Sequence, residues 1–154
     1  MKKLYSFDDL LRKAASYCSI SEHCVSEVEA KLKVWDVSEP DRTKIIEKLQ
    51  IDDFINEKRY AGSFAGDKFR FNKWGKIKIS LALREKGIDK QLIADAVQKI
   101  DEGEYEELLA TLLQNKVKTL KYNFEYEKQG KLFRFAQSRG FENNVIERVI
   151  RTIY

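Results

Sequence analysis

The sequence predicts an all-α fold, an elongated array of three tandem three-helix repeats with about nine helices. Three observations predict it. One Pro and seven Gly in 154 residues are few breakers, and a chain rich in Lys, Glu, Leu and Ala favours helix. No strand-like alternation survives beyond a few residues. Finally, one apolar pattern occurs three times. The triplets Val28, Leu32, Val37, then Ile79, Leu83, Ile88, then Leu132, Ala136, Phe141 surround joints at Asp36, Gly87 and Gly140, which are 51 and 53 residues apart. Beyond the last two joints the match continues, Ile93 and Val97 answering Ile146 and Ile150. The expected units are residues 1–51, 52–102 and 103–154. A unit of this size buries its apolar face poorly alone and gains by stacking, which yields a long surface instead of a deep pocket.

Each element has its own signal. Ser6 followed by Asp9 forms a capping box for a first helix running to about Tyr17. Ser21 or Glu22 opens a second, through Val28 and Leu32 to Trp35. Ser38, with Glu39 and Pro40 in the first turn, starts a third that carries Ile45, Ile46 and Leu49. Asp52 or Asp53 is expected to cap a fourth, reaching about Phe71, before Asn72 and Gly75 interrupt. A fifth spans roughly 75–86 and stops at Gly87. Asp89 caps a sixth, with Leu92, Ile93, Ala96, Val97 and Ile100 on one face. Gly103 is read as the next break. A seventh helix carries Tyr105, Leu109 and Leu113, an eighth ends at Gly140, and a ninth carries Val145, Ile146, Val149 and Ile150.

A hydrophobic content of 43% and an aromatic content of 12% suffice for a core, which argues against global disorder. The net charge of +4 is unevenly spread. Residues 58–100 hold 11 Lys+Arg against 4 Asp+Glu, whereas residues 1–57 hold 9 against 12 and residues 101–154 hold 9 against 9. A localised positive field in the middle third points to an acidic partner. Cys18 and Cys24 have no metal or redox spacing and are expected to be reduced and partly buried. "MKKLYSFDDLL" has no apolar leader core, and no segment approaches a membrane span, so the expected location is the cytoplasm.

Enzyme readings find no support. The single histidine, His23, adjoins Cys24, but neighbours on a helix point about 100° apart and do not form a nucleophile pair. Phosphate-loop, dinucleotide and zinc-protease motifs are absent. Asp8–Asp9 and Asp52–Asp53 fall where helices begin, so capping explains them. No catalytic residue, metal, cofactor or small-molecule substrate is expected, and the chain is expected to be a monomer.

The stretch "FAGDKFRFNKWGKIKISLALREKGI" is the exception, aromatics interleaved with cations and almost without acids. Arg59, Lys68, Arg70, Lys73, Lys76, Lys78 and Arg84 are the candidate contact residues for a protein partner or DNA. Their cations could track phosphates, and an exposed Phe71 or Trp74 could stack on single-stranded bases. The alternative is a solvated face around a helix pair, with Trp74 as a packing anchor. On the fifth helix Ile77 and Leu81 lie opposite Ile79 and Leu83, the pattern of a helix packed on two sides in mid-array.

"YCSISEHCVSEVEAKL", "IIEKLQIDDFINEKRYAGSF" and "KFRFNKWGKIKISLALREKGI" together resemble the RecX family of bacterial regulatory proteins, which modulate the RecA recombinase. The basic segment, its Gly and the L-x-x-K-G-[IV] ending run together as in the family, and the form "KFRFNKWG" resembles Bacteroidetes-type members. The likeness covers about Tyr17 to Ile150. It departs where Asn56-Glu57 stands for an acidic pair ahead of Arg59-Tyr60-Ala61, and where Asp36 stands for the usual joint Gly. The resemblance implies an all-helical array that lodges in the groove of RecA filaments on DNA. It implies inhibition of ATP hydrolysis and strand exchange, some direct DNA binding, and no catalytic residues or cofactor.

Overall fold

The computed structural model describes residues 5–154 and, among them, nine α-helices and no strand. They are α1 (Phe7–Ile20), α2 (Val25–Val34), α3 (Glu39–Ile51), α4 (Glu57–Arg70), α5 (Lys76–Glu85), α6 (Lys90–Gln98), α7 (Glu102–Val117), α8 (Glu125–Ser138) and α9 (Asn143–Ile153).

Local chemistry sets most of the ends. Ser6 Oγ accepts from the Asp9 amide at 3.1 Å, and the Asp9 carboxylate accepts from the Ser6 amide at 3.3 Å, the reciprocal box read in the sequence. Ser38 is the N-cap of α3, with Pro in the first turn. The Asp89 carboxylate accepts from Gln91 N–H at 3.0 Å at the start of α6. Three starts differ from expectation. Asn56 caps α4, accepting from Arg59 N–H at 3.0 Å, because Asp52 closes α3 and Asp53 takes a left-handed turn at φ 63°. Cys24 precedes α2, and Glu27 reaches back to its amide at 3.2 Å. Gly103 lies inside the first turn of α7, since Asp101 caps that helix by accepting from Glu104 N–H at 2.9 Å.

The repeated triplets have one structural cause. Asp36, Gly87 and Gly140 all adopt positive φ, at 59°, 81° and 91°. The next residue then turns its amide back to the carbonyl of Leu32, Leu83 or Ala136, at 3.0, 3.2 and 3.2 Å. That closure folds Val37, Ile88 and Phe141 onto the last apolar turn of the preceding helix. All nine triplet residues are buried.

The closely packed helix pairs group as α1–α2–α3, α4–α5–α6 and α7–α8–α9. The cores divide differently. The first three helices enclose their own cluster around Leu10, Val28, Leu32, Ile45 and Leu49. The next six share a second cluster, which runs through Ile79, Leu83, Tyr105, Leu109, Leu132 and Ile146 and which Cys24, ahead of α2, also joins. The accessible surface is 9838 Å², against about 8,100 Å² for a compact monomer of 18.1 kDa, which fits an elongated stack.

Candidate partner-binding surface

The basic middle unit is clamped to the third by backbone. The N-terminus of α5 has amides that its own helix cannot satisfy. Gly75 N–H donates to Arg139 O at 2.7 Å and Ile77 N–H to Gly140 O at 2.9 Å. Between them, Lys76 N–H donates to the Tyr105 hydroxyl at 2.8 Å, and that hydroxyl donates to the Glu142 carboxylate. Tyr105 is fully buried. Burial, then the Glu142 hydrogen bond, hold its phenol above the ordinary range, so it remains a neutral donor. The contact needs glycine on both sides. A Cβ on Gly75 would overlap the Gly140 carbonyl, and one on Gly140 would overlap Lys78.

The joint between the first and middle units is largely polar, around a buried Cys24 that packs into the second cluster. Arg59 donates to Glu22 at 2.6 Å and to the Asp53 carboxylate at 3.0 Å, with further bonds to the Asp53 and Phe54 carbonyls. Ser26 Oγ donates to Lys86 O at 2.6 Å, and Lys86 Nζ donates to Glu27 at 3.1 Å. Burial works against the charge on Glu27, but hydrogen bonds from Lys86 and the Cys24 amide hold its carboxyl below the usual range. Glu22 Oε2 is buried with no partner of its own, so Glu22 depends on Arg59. Arg59→Ala is therefore expected to cost about 1–3 kcal/mol and to raise hydrogen exchange in α1–α3 more than in α7–α9. Uniform exchange along the chain in that variant would show that Arg59 does not hold this joint.

The seven candidate residues fall into four places, not one patch. Arg59 sits at the first joint, its guanidinium engaged as above. Lys68 and Lys78 both bring Nζ to the Trp74 ring, at 4.9 and 4.8 Å from its centroid, a cation–π pair linking α4 to α5. Arg70 and Lys73 are exposed on a cleft that Glu104 and Glu107 of α7 also line. Lys73 takes positive φ, at 60°, and donates Nζ to Arg70 O at 2.7 Å, so its charge meets the C-terminal end of α4. Lys76 pairs with Glu102 and lies 4.6 Å from the Tyr105 ring centre, leaving its side chain 16% exposed. Arg84 lies with it on the opposite side of α5 from Lys78 and borders a cleft between α5 and α6. The helical period explains the division, because Lys76 and Lys78 stand about 200° apart on one helix.

One cation from outside the middle unit, Arg139, reaches the segment before Trp74. Arg139 donates to Asn72 O at 3.5 Å and lies 5.4 Å from the Phe135 ring centre, and Lys116 stands 5.0 Å from the same ring. Sequence reading missed Arg139, since it sits in a neutral third of the chain and reaches Asn72 only through the Gly75–Gly140 contact. Phe69 is buried and Trp74 is half-buried against the shared core, as a packing anchor should be, whereas Phe71 is 77% exposed. One expectation fails. Ile77 and Leu81 are 46% and 52% exposed, so α5 is not packed on two sides, because the third unit covers only its N-terminal end.

His23 lies in the turn before α2, stacked on Tyr17 at 3.9 Å and bonded to Ser21 and Glu27, a packing role rather than one on a helix surface. Cys18 and Cys24 are free thiols and buried. Among the described residues no group of three or more metal-ligating side chains occurs, and no helix is long and apolar enough to cross a membrane.

This arrangement defines a tandem three-helix-repeat protein, with a basic middle unit locked to the unit that follows it. Residues 56–97 match the RecX second three-helix domain and residues 104–150 the RecX third three-helix domain. The chain is 32% identical over 136 residues to "Regulatory protein RecX" from Acinetobacter baylyi, covering 86% of this chain and 80% of that one. It is 31% identical over 127 residues to "Regulatory protein RecX" from Clostridium botulinum (strain Eklund 17B / Type B), covering 81% of this chain but spanning only 59% of the length of that relative. The crystal structure of RecX from Lactobacillus salivarius superposes with a TM-score of 0.87 at 28% identity, over 95% of each chain. The chain belongs to the RecX family.

Proposed function

We propose that this protein binds RecA nucleoprotein filaments and lowers their recombinase activity, both ATP hydrolysis and strand exchange. The observation that carries the reading is an elongated array of the RecX fold whose middle and third units share a core and are joined by backbone hydrogen bonds, with cations from both on the surface. Such an array suits a long helical groove better than a pocket, and distributed cations raise the rate of association with an acidic nucleoprotein. Lys68, Lys78, Arg70, Lys73 and Arg84 carry the contacts in this reading. Arg59 and Lys76 are engaged by carboxylates of the chain itself, Glu22 and Asp53 for the first and Glu102 for the second, and position the units.

The test is the ATPase rate of a RecA recombinase on single-stranded DNA with this protein substoichiometric. Inhibition at a small fraction of the recombinase concentration supports action on filaments. A second reading, a direct DNA-binding module, draws on Phe71, which projects beside Arg70 and Lys73 where a base could stack. Inhibition that needs enough protein to coat the DNA, and that extra DNA relieves, would favour it. Charge reversal separates function from folding. Lys68→Glu with Lys78→Glu is expected to raise the half-inhibitory concentration about tenfold or more, with helicity by circular dichroism unchanged. Reversing Lys73, Lys76 and Lys78 together is less clean, since Lys76→Glu would face Glu102. Undiminished inhibition by the Lys68/Lys78 variant would remove those two from the contact surface.

A further inference from the structure

The exposed pair Ile77 and Leu81 is not required by the fold, and the chain carries its own controls. At the repeat spacings of 51 and 53, their counterparts are Ser26 and Ala30 in the first unit and Gly130 and Arg134 in the third. The same helix position is thus small or polar twice and large and apolar once. In the middle unit these side chains form one wall of an open cleft of about 590 Å³, with Ile93 and Val97 of α6 opposite. The rim is basic. Arg84 and Lys90 are exposed and make no ion pair or hydrogen bond through their side chains among the described residues. Glu142, at one end, is occupied by the Tyr105 hydroxyl.

We infer that this cleft docks an acidic amphipathic helix of a protein partner. An apolar i, i+4 pair offers a complementary stripe to a second helix, and the cleft's lining on α5, from Lys76 to Arg84, runs about two turns. Unpaired cations at the rim select a helix whose flanks carry Asp or Glu. The inference deepens the proposed function by naming the kind of partner segment, and it rests on that reading for its setting.

The probe is a labelled peptide of about 16 residues with Leu along one helical face and Glu elsewhere, and its control carries Lys in place of Glu. Both are titrated by fluorescence anisotropy against the full chain, with no recombinase present, so that failure here is separate from failure of the ATPase test. The Glu peptide is expected to bind at least tenfold tighter than the Lys peptide and to shift the methyl resonances of Ile77, Leu81 and Ile93. Ile77→Ser with Leu81→Arg borrows residues that the other units already carry at these positions, and it should weaken the Glu peptide about tenfold while the thermal midpoint holds. Equal binding of the two peptides, or undiminished binding to the variant, would overturn the inference. So would a wild-type dimer in sedimentation that the variant dissolves, since the occupant would then be a second copy of this chain.

Discussion

Gly140→Ala is expected to lower the thermal midpoint by roughly 10 °C, whereas Gly87→Ala lowers it by only a few degrees. Both glycines hold the same place in the repeat, and both have positive φ, 81° at Gly87 and 91° at Gly140. A side chain in the left-handed region costs about 1–2 kcal/mol at either site. The difference is what lies outside. A Cβ on Gly87 meets nothing within 4 Å, but one on Gly140 runs into the Lys78 backbone, with the Lys78 amide nitrogen at 2.6 Å. The third unit would have to move off α5, breaking the bonds from Gly75 and Ile77 to the Arg139 and Gly140 carbonyls. Overpacking of this kind adds roughly 1–3 kcal/mol, and the lost bonds leave donors at the end of α5. Calorimetry of the two variants decides the matter, with hydrogen exchange at Gly75 and Ile77 reporting the joint. Equal midpoints would mean that the clasp contributes nothing beyond the local turn.

Tyr105→Phe is expected to cost about 2–4 kcal/mol although it removes one oxygen. The ring would stay, packed 5.9 Å from Phe69 and 5.0 Å from Phe141 between centroids. The hydroxyl is what spans the units, accepting from Lys76 N–H and donating to Glu142. Without it a half-buried amide and a carboxylate each lose a partner at one joint. Chemical denaturation measures the loss, and faster exchange of the Lys76 amide would locate it. A change below about 0.5 kcal/mol would show that water replaces the hydroxyl at no net cost.

Most of the helical order could be read in advance because its causes are local. The Ser6–Asp9 box, the Ser38–Pro40 start and the stops at Gly87 and Gly140 each depend on a few neighbouring residues. The misplaced start of α2 arose where the N-cap, Cys24, makes no side-chain cap bond, and that of α4 where three acceptors, Asp52, Asp53 and Asn56, lie close together. There the backbone, and not the residue type, chose which one capped. The family resemblance also followed from short contiguous patterns, of which "KFRFNKWGKIKISLALREKGI" lies wholly within the matched span 56–97.

The candidate surface was legible only as a list. Seven cations close together in sequence looked like one patch, and the helical period distributed them to four places. Whether each charge is available depends on residues far along the chain. Glu22 occupies Arg59 across 37 positions, and Glu102 occupies Lys76 across 26. Arg139 reaches Asn72 across 67.

By itself, then, the sequence determined the helices, their grouping in threes and the positive-φ joints, because i, i+4 spacing and turn chemistry act over less than two helical turns. Only the tertiary structure decided that the last two units share a core while the first keeps its own apart from Cys24. It alone decided which cations remain unpaired, and that Ile77 and Leu81 face an open cleft. Those outcomes depend on how units stack, which is set by the fit of one unit's surface against another, as where Gly75 meets Gly140.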